Sequence, residues 1–128
     1  VLATNKTITI RKFAELAFGE AGITLKFEGK GENETATIVS IDSTKLPNNA
    51  THACKVGDVV IKIDKRYYRP TEVELLIGDP TKAQKKLNWK PKYDLAGLVA
   101  EMVQEDVILF KKDKYLQDGG YKTLNYFE

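Results

Sequence analysis

Apolar residues recur with two different periods in the first thirty positions, and the change of period predicts a helix followed by a strand. The helical period is carried by Ile10, Phe13, Ala14, Ala17 and Ala21. Thr9 precedes them as an N-cap, and Gly22 follows them where a left-handed cap would end the helix. Before this helix, residues 1–4 predict a short strand that ends in a polar turn.

Three segments after the helix have the pattern of β-strands. Residues 23–27 and 35–41 alternate, and residues 59–63 form the strongest β-branched run of the chain. On the middle strand, alternate residues share a face, with Ala36, Ile38 and Ser40 on one side and Thr37, Val39 and Ile41 on the other. The glycines at 28–33 suggest a phosphate loop, but no Lys-Ser/Thr pair follows them, and a hairpin turn is favoured.

The densest local signals lie between residues 66 and 89. Residues 73–77 alternate and predict a further strand. Asp79 is placed to cap a second helix, and Pro80 is expected at its first helical position, where a missing N–H costs nothing. Ala83 and Leu87 fall on one face of this helix.

The longest helix is predicted to begin after an Asp94 cap and to stop at the glycine pair 119–120. We expect its apolar stripe to pack in the core, and the stripe consists of Leu95, Leu98, Val99, Met102, Val103, Val107 and Phe110. Three lysines at 111–114 are expected at its carboxyl end, where their positive charge interacts favourably with the helix dipole. The element order predicts an α/β unit of α+β-like type, a single domain over 1–128 with a small sheet and about three helices.

Composition limits the class of partner. The chain has 20 basic and 18 acidic residues, a net charge of +2, which is too small a surplus for gripping nucleic acid or an anionic membrane. No apolar run approaches the ~20 residues needed to span a bilayer. The chain has no secretory leader and no initiator Met, and we expect it to be a piece of a longer protein. One cysteine cannot form an internal disulfide, so we expect a cytoplasmic protein.

The single histidine and the single cysteine, His52 and Cys54, lie in a polar segment at 42–55 that is predicted to be a surface loop. Two ligands cannot complete a zinc shell, and a nucleophile–base pair needs a third residue to orient the base. We therefore expect no metal site and no catalytic residue here.

Arg69 and Glu72 form the most suggestive pair of charged residues. They are three positions apart at the start of the predicted strand, and Pro70 stiffens the link between them. A guanidinium and a carboxylate held there are suited to a phosphate and a sugar diol respectively. The alternative is that the two side chains pair with each other or with solvent.

The residues around this pair also carry a family resemblance. The runs Arg69-Pro70-Thr71-Glu72-Val73, Gly78-Asp79-Pro80-Thr81-Lys82-Ala83 and Leu87-Asn88-Trp89-Lys90-Pro91 resemble the C-terminal part of the GDP-mannose 4,6-dehydratase family. That family belongs to the extended short-chain dehydrogenases/reductases. The resemblance implies that Arg69 holds the diphosphate, that Glu72 accepts hydrogen bonds from the ribose, and that Tyr68 lines the same cleft.

The resemblance further implies GDP-mannose as substrate, conversion to GDP-4-keto-6-deoxymannose and water, and a homo-oligomeric enzyme. Such chemistry requires NADP, which an N-terminal Rossmann domain missing from this chain would bind. Neither Tyr-x-x-x-Lys nor a G-x-G-x-x-G fingerprint occurs in the 128 residues, so the chain alone is expected to be inactive. Two alternatives stay open. The chain could belong to an epimerase or reductase of the same extended family, or it could be a non-catalytic interaction module that does not bind GDP.

Overall fold

The computed structural model describes residues 1–45, 53–69, 71 and 75–123. Within these residues the chain forms three α-helices and three strands, joined in part by short 3₁₀ turns at Gly31–Asn33 and Ser43–Lys45. The order is α1 (Ile10–Glu20), β1 (Ile23–Glu28), β2 (Thr35–Ile41), β3 (Val59–Lys62), α2 (Thr81–Leu87) and α3 (Leu95–Asp118). The predicted α/β unit with a small sheet and three helices is confirmed.

The sheet is antiparallel, with β2 between β1 and β3. Ala36 pairs with Phe27 on one side and Ile61 on the other. Ala36 and Ile38 are buried, as the alternation predicted. The alternation fails beyond them, because Leu25 pairs with Ile38 while Thr24 pairs with Ser40. This irregularity turns Ser40 to the surface, so its predicted place on the same face as Ala36 and Ile38 was wrong.

The core described by the structure is small. α1 packs against both β1 and α3, which places it between the sheet and the long helix. The buried apolar residues are Ile23, Ala36, Ile38, Ala83 and Val99. Each of them removes apolar surface from water, which is the main favourable contribution to folding.

The helix caps agree with the sequence pattern at three of the four predicted positions. The Thr9 hydroxyl accepts a hydrogen bond from Lys12 N at 3.1 Å, and an Asp94 carboxylate oxygen accepts one from Gly97 N at 2.8 Å. Gly22, with a φ of +79°, follows α1 in the left-handed conformation. The Asp79 carboxylate accepts from Thr81 N at 2.9 Å, but α2 begins at Thr81, so Pro80 precedes the helix instead of opening it.

Two predicted strands do not form in the described residues. Residues 1–4 have no regular secondary structure, and neither do residues 75–77 at the end of the predicted strand 73–77. Positions 73 and 74 lie outside the described residues. An alternating pattern specifies which face of a segment is apolar, but a strand also needs a neighbouring strand for its backbone hydrogen bonds. The side chains at 75–77 are exposed, so this short apolar run has no cover within the described chain.

The predicted core face of the long helix is only partly buried. Val99 is buried, whereas Met102 is 46% exposed and Phe110 is 52% exposed, so their assignment to the core was wrong. A difference in length leaves part of α3 uncovered, since the 24 residues of α3 span about 36 Å and the 11 residues of α1 only about 17 Å. α1 therefore covers less than half of α3. Leu87 of α2 is also exposed, although Ala83 on the same face is buried.

α3 ends at the glycine pair 119–120, as predicted, but the lysines expected at its carboxyl end lie before its last turn. The helix continues to Asp118 and is capped by Gly119, with Gly120 in the left-handed conformation. The lysines at 111, 112 and 114 precede the last turn, so the expected favourable position against the dipole was wrong. Among the described helices, none has the length and apolar character required to cross a lipid bilayer.

Candidate functional site

The antiparallel register brings two loops to one end of the sheet. Glu28 at the end of β1 pairs with Thr35 at the start of β2, and Thr35 pairs with Lys62 at the end of β3. The hairpin turn, residues 29–33, therefore leaves the sheet beside residues 63–69, which we call the site loop. This topology places the predicted residues Tyr68 and Arg69 next to the hairpin turn.

The first half of the site loop is held together by hydrogen bonds to Asp64. Asp64 accepts hydrogen bonds from Arg66 N at 2.9 Å and from the Arg66 guanidinium at 2.6 Å, and its carbonyl oxygen accepts from Tyr67 N at 3.0 Å. The hydrogen bond from the Arg66 side chain, and then that from its backbone, holds the pKa of Asp64 below its ordinary value. The guanidinium also lies 5.6 Å from the centre of the Tyr67 ring. Arg66 thus shapes the loop, although it remains largely exposed to solvent.

The second half of the site loop rests on the hairpin turn. Tyr68 is 43% exposed, and its hydroxyl oxygen lies 3.2 Å from the position a Cβ would take on Gly31. Nearby, Lys65 Nζ lies 3.7 Å from Glu32 Oε1. The tip of the Tyr68 ring therefore faces the turn, and the two loops are in contact.

Arg69 follows Tyr68 directly and lies on the exposed surface at this end of the sheet. Glu72, the third predicted site residue, lies outside the described residues together with Pro70. The structure therefore brings Tyr68 and Arg69 to one end of the sheet, while the pairing of Arg69 with Glu72 around a ligand stays a prediction.

The charges at this end favour an anion. The hairpin turn and the site loop together carry four cationic side chains, at 30, 65, 66 and 69, against carboxylates at Glu32 and Asp64. A third carboxylate, Glu34, is neutralised by Arg11, whose Nε donates to it at 2.8 Å while the guanidinium stacks over Phe27. A local excess of cationic groups attracts a ligand such as a diphosphate.

Sequence reasoning missed the contribution of the hairpin turn. Lys30 and Gly31 were interpreted only as connecting residues, and Lys65 was not considered. A usable signal was present, because three successive antiparallel strands return every second loop to the same end of a sheet. The turn between the first two strands was therefore bound to lie beside the segment that follows the third.

A concave region lies elsewhere on the molecule. A cleft of about 580 Å³ opens between the N-terminal segment, α1 and the start of α3, and its lining includes Lys6, Ile8, Leu16, Tyr93, Leu95 and Leu98. The Asp94 carboxylate at this cleft already caps α3 through Gly97 N. Neither Tyr68 nor Arg69 lines it.

The described residues contain no group of three or more His, Cys, Asp or Glu side chains arranged to hold a metal ion. Cys54 is a half-buried free thiol. His52 lies outside the described residues.

The structure is a small α/β unit with an excess of cationic side chains at one end of its sheet. Comparison with known proteins shows its family. The family profile described as GDP-mannose 4,6 dehydratase matches residues 1–102. The chain is 43% identical over 121 residues to a GDP-mannose 4,6-dehydratase of Vibrio cholerae, covering 94% of this chain and 31% of that protein. It is 42% identical over 112 residues to the Homo sapiens protein called GDP-mannose 4,6 dehydratase, covering 87% and 26%.

A protein of the same name from Dictyostelium discoideum is 40% identical over 116 residues, covering 90% of this chain and 28% of that protein. The chain therefore belongs to the GDP-mannose 4,6-dehydratase family, as the sequence motifs indicated. It spans about a third of the length of the curated relatives that it matches.

Proposed function

We propose that this chain is the substrate-binding part of a GDP-mannose 4,6-dehydratase, a lyase that converts GDP-mannose to GDP-4-keto-6-deoxymannose and water. Family membership and the names of the relatives support the reaction. The observation that carries the assignment to this site is the position of Arg69, exposed beside the hairpin turn at a cationic end of the sheet.

Arg69 is the residue proposed for the diphosphate. Its guanidinium is planar and permanently charged, and it presents a fork of N–H donors that matches two phosphate oxygens at once. Lys30 and Lys65 add positive charge on the two adjoining loops without that geometry. Glu72 is proposed to accept hydrogen bonds from the ribose hydroxyls, which places the nucleoside end of the substrate along 69–72.

The contribution of this chain to catalysis is positional. Binding energy from the nucleotide, which does not react, holds the hexose in the orientation that the chemistry requires. The proposed reaction removes a hydride from the sugar and returns it at a neighbouring carbon, which is the chemistry that NADP supplies. No step of that chemistry is assigned to the residues of this chain.

The residues present do not fit NADP. A dinucleotide is normally held by a glycine-rich turn between a strand and the start of an α-helix. Here the glycines at 29 and 31 lead through a 3₁₀ turn into β2. We therefore propose that the cofactor binds in an N-terminal Rossmann portion of a longer protein, that residues 1–128 form its C-terminal domain, and that this chain alone is inactive.

The proposal also includes the setting of the intact enzyme. The extended short-chain dehydrogenase/reductase assignment implies a homo-oligomer in which this unit contacts its own N-terminal domain. A single cysteine cannot form an internal disulfide, so nothing argues for an oxidising compartment, and we propose a cytoplasmic location.

Calorimetric titration of the 128-residue chain with GDP tests the proposal. We expect weak binding, because the proposed pocket is shared with another domain. Arg69→Ala removes a charge-assisted hydrogen bond of about 1.5–3 kcal/mol, and affinity should fall roughly 10- to 150-fold.

The matched control is Arg66→Ala, which also removes one arginine from the site loop, and the guanidinium of Arg66 donates to Asp64. It should weaken GDP binding by less than about threefold, because Arg66 is not the residue proposed to form the bidentate hydrogen bond with the diphosphate. Equal losses in the two variants would show attraction by net charge alone and would contradict the role of Arg69. Absence of GDP binding by the unaltered chain would favour an interaction module.

A further inference from the structure

We propose that Tyr68 is a positioning residue, which seats the site loop on the hairpin turn through its ring and thereby fixes where Arg69 presents its guanidinium. This inference rests on the proposed function and changes the role first expected for Tyr68. The sequence placed Tyr68 as a lining residue of the substrate cleft. The structure turns the end of its ring toward Gly31.

Three atoms at the tip of the Tyr68 ring lie near the position that a side chain on Gly31 would occupy. A Cβ on Gly31 would lie 3.2 Å from the Tyr68 hydroxyl oxygen, 3.8 Å from Cζ and 4.0 Å from Cε2. Gly31 also has a φ of +56°, a conformation that disfavours side chains. The hairpin turn thus presents bare backbone where the tyrosine tip lies, and a methyl group there would displace the ring by a few tenths of an ångström.

The bonds made by Asp64 act within the site loop. Asp64 binds the backbone and guanidinium of Arg66, and its carbonyl oxygen binds Tyr67 N, so these bonds set the loop's own shape. The Tyr68 ring crosses to the hairpin turn. Lys65 crosses to Glu32 as well, at 3.7 Å between exposed groups, and such a pair contributes little.

The consequence for the site follows from chain connectivity. The Cα atoms of consecutive residues are about 3.8 Å apart, so a shift of Tyr68 is transmitted directly to Arg69. A bidentate hydrogen bond between a guanidinium and a phosphate depends on both distance and angle. The tyrosine therefore acts on the ligand through the place of its neighbour, without touching the ligand itself.

GDP titrations of four variants of the chain test this role. Tyr68→Phe keeps the ring and loses the hydroxyl, so we expect its affinity to stay within about twofold of the unaltered chain. Tyr68→Ala removes the ring, and affinity should fall by about tenfold as Arg69 loses its fixed position. Gly31→Ala keeps the Tyr68 side chain but displaces the tip of its ring, and we expect GDP affinity to fall about threefold.

Gly120→Ala is the matched control for backbone strain. Gly120 has a φ of +80°, also in the left-handed region, and nothing lies within 4 Å of its Cβ position. This variant should destabilise the chain to a degree similar to Gly31→Ala while GDP affinity stays unchanged. Circular dichroism checks that each variant is folded, which we expect because Tyr68 is half exposed on a loop.

The outcomes distinguish the positioning role of Tyr68 from the proposed function of the chain. If Tyr68→Phe loses as much affinity as Tyr68→Ala, the hydroxyl is a direct ligand and the positioning role is wrong. The positioning role is also wrong if Tyr68→Ala and Gly31→Ala bind GDP normally while Arg69→Ala does not, and the proposed function then stands. Normal binding by Arg69→Ala would overturn the proposed function itself.

Discussion

Replacing Ile38 with alanine tests the core and the strand register together. Ile38 lies on the central strand, is 1% exposed, and pairs with Leu25 of β1. Its neighbour Val39 is 44% exposed and lies at the irregularity in the register. The two residues are adjacent in sequence and differ mainly in burial, so Val39→Ala is the matched control.

The magnitude follows from burial. Ile38→Ala removes three buried carbons at about 0.8 kcal/mol each, or about 2.4 kcal/mol in total. The unfilled cavity brings the expected loss into the range of about 2–5 kcal/mol. Val39→Ala removes two carbons that are nearly half exposed already, and its expected cost is below about 1 kcal/mol. The loss expected for Ile38→Ala is a large part of the stability of a domain, which is typically about 5–15 kcal/mol.

Urea denaturation measures both losses. Far-UV circular dichroism reports the helices and strands, and the fluorescence of Trp89, the single tryptophan, gives a second probe. If Ile38→Ala is too unstable to study, Ile38→Val should cost about 0.5–1.5 kcal/mol. Equal costs at the two positions would refute the register, because a slip of one residue exchanges the two faces of the strand.

Three further predictions concern the helix caps and the site. Asp94→Ala removes the acceptor for Gly97 N at the start of α3 and should cost about 1 kcal/mol in urea denaturation, whereas a cost near zero would contradict the cap. Hydrogen bonds from the Thr81 hydroxyl and then its amide hold the pKa of Asp79 below its ordinary value of 3.8. These two hydrogen bonds should therefore be intact above about pH 4 and be lost as pH falls through that lowered pKa. The Thr81 amide shift in an NMR titration will follow the loss, and Asp79→Asn should abolish this pH dependence. In a full-length enzyme carrying this chain, Arg69→Ala should raise the KM for GDP-mannose strongly with little change in NADP affinity, and equal weakening of both would count against the assignment.

Local rules predicted the elements whose determinants lie close together in the chain. Thr9 and Asp94 were identified as caps because an N-cap needs only one side chain and an amide three residues later. The middle strand was predicted with its observed bounds, Thr35–Ile41, because its alternation is regular enough to show one buried face. The hairpin followed from the short connection between two alternating segments.

The errors arose where the determinant is a distant part of the molecule. Met102 and Phe110 match a core stripe, but burial also requires a covering element, and α1 is too short to reach along α3. Residues 75–77, the end of the predicted strand 73–77, have no strand beside them in the described chain. No local rule specifies what lies opposite a segment.

The candidate site was predictable in its chemistry and less so in its arrangement. Arg69 was identified from the type of its side chain and its motif, and the structure places it at an exposed cationic end of the sheet. Tyr68 was expected to line the substrate cleft because the family resemblance implied it. Its contact with Gly31 depends on the pairing of three strands, which brings together residues 37 positions apart.

An NMR titration of the ¹⁵N-labelled chain with GDP tests the central claim most directly, since it shows where the nucleotide lies without requiring catalysis. We predict saturable amide shifts concentrated in the hairpin turn, residues 29–33, and in the site loop, residues 63–69, that are lost in Arg69→Ala. Shifts confined to the cleft around Lys6 and Tyr93, or a pattern that survives Arg69→Ala unchanged, would contradict the account.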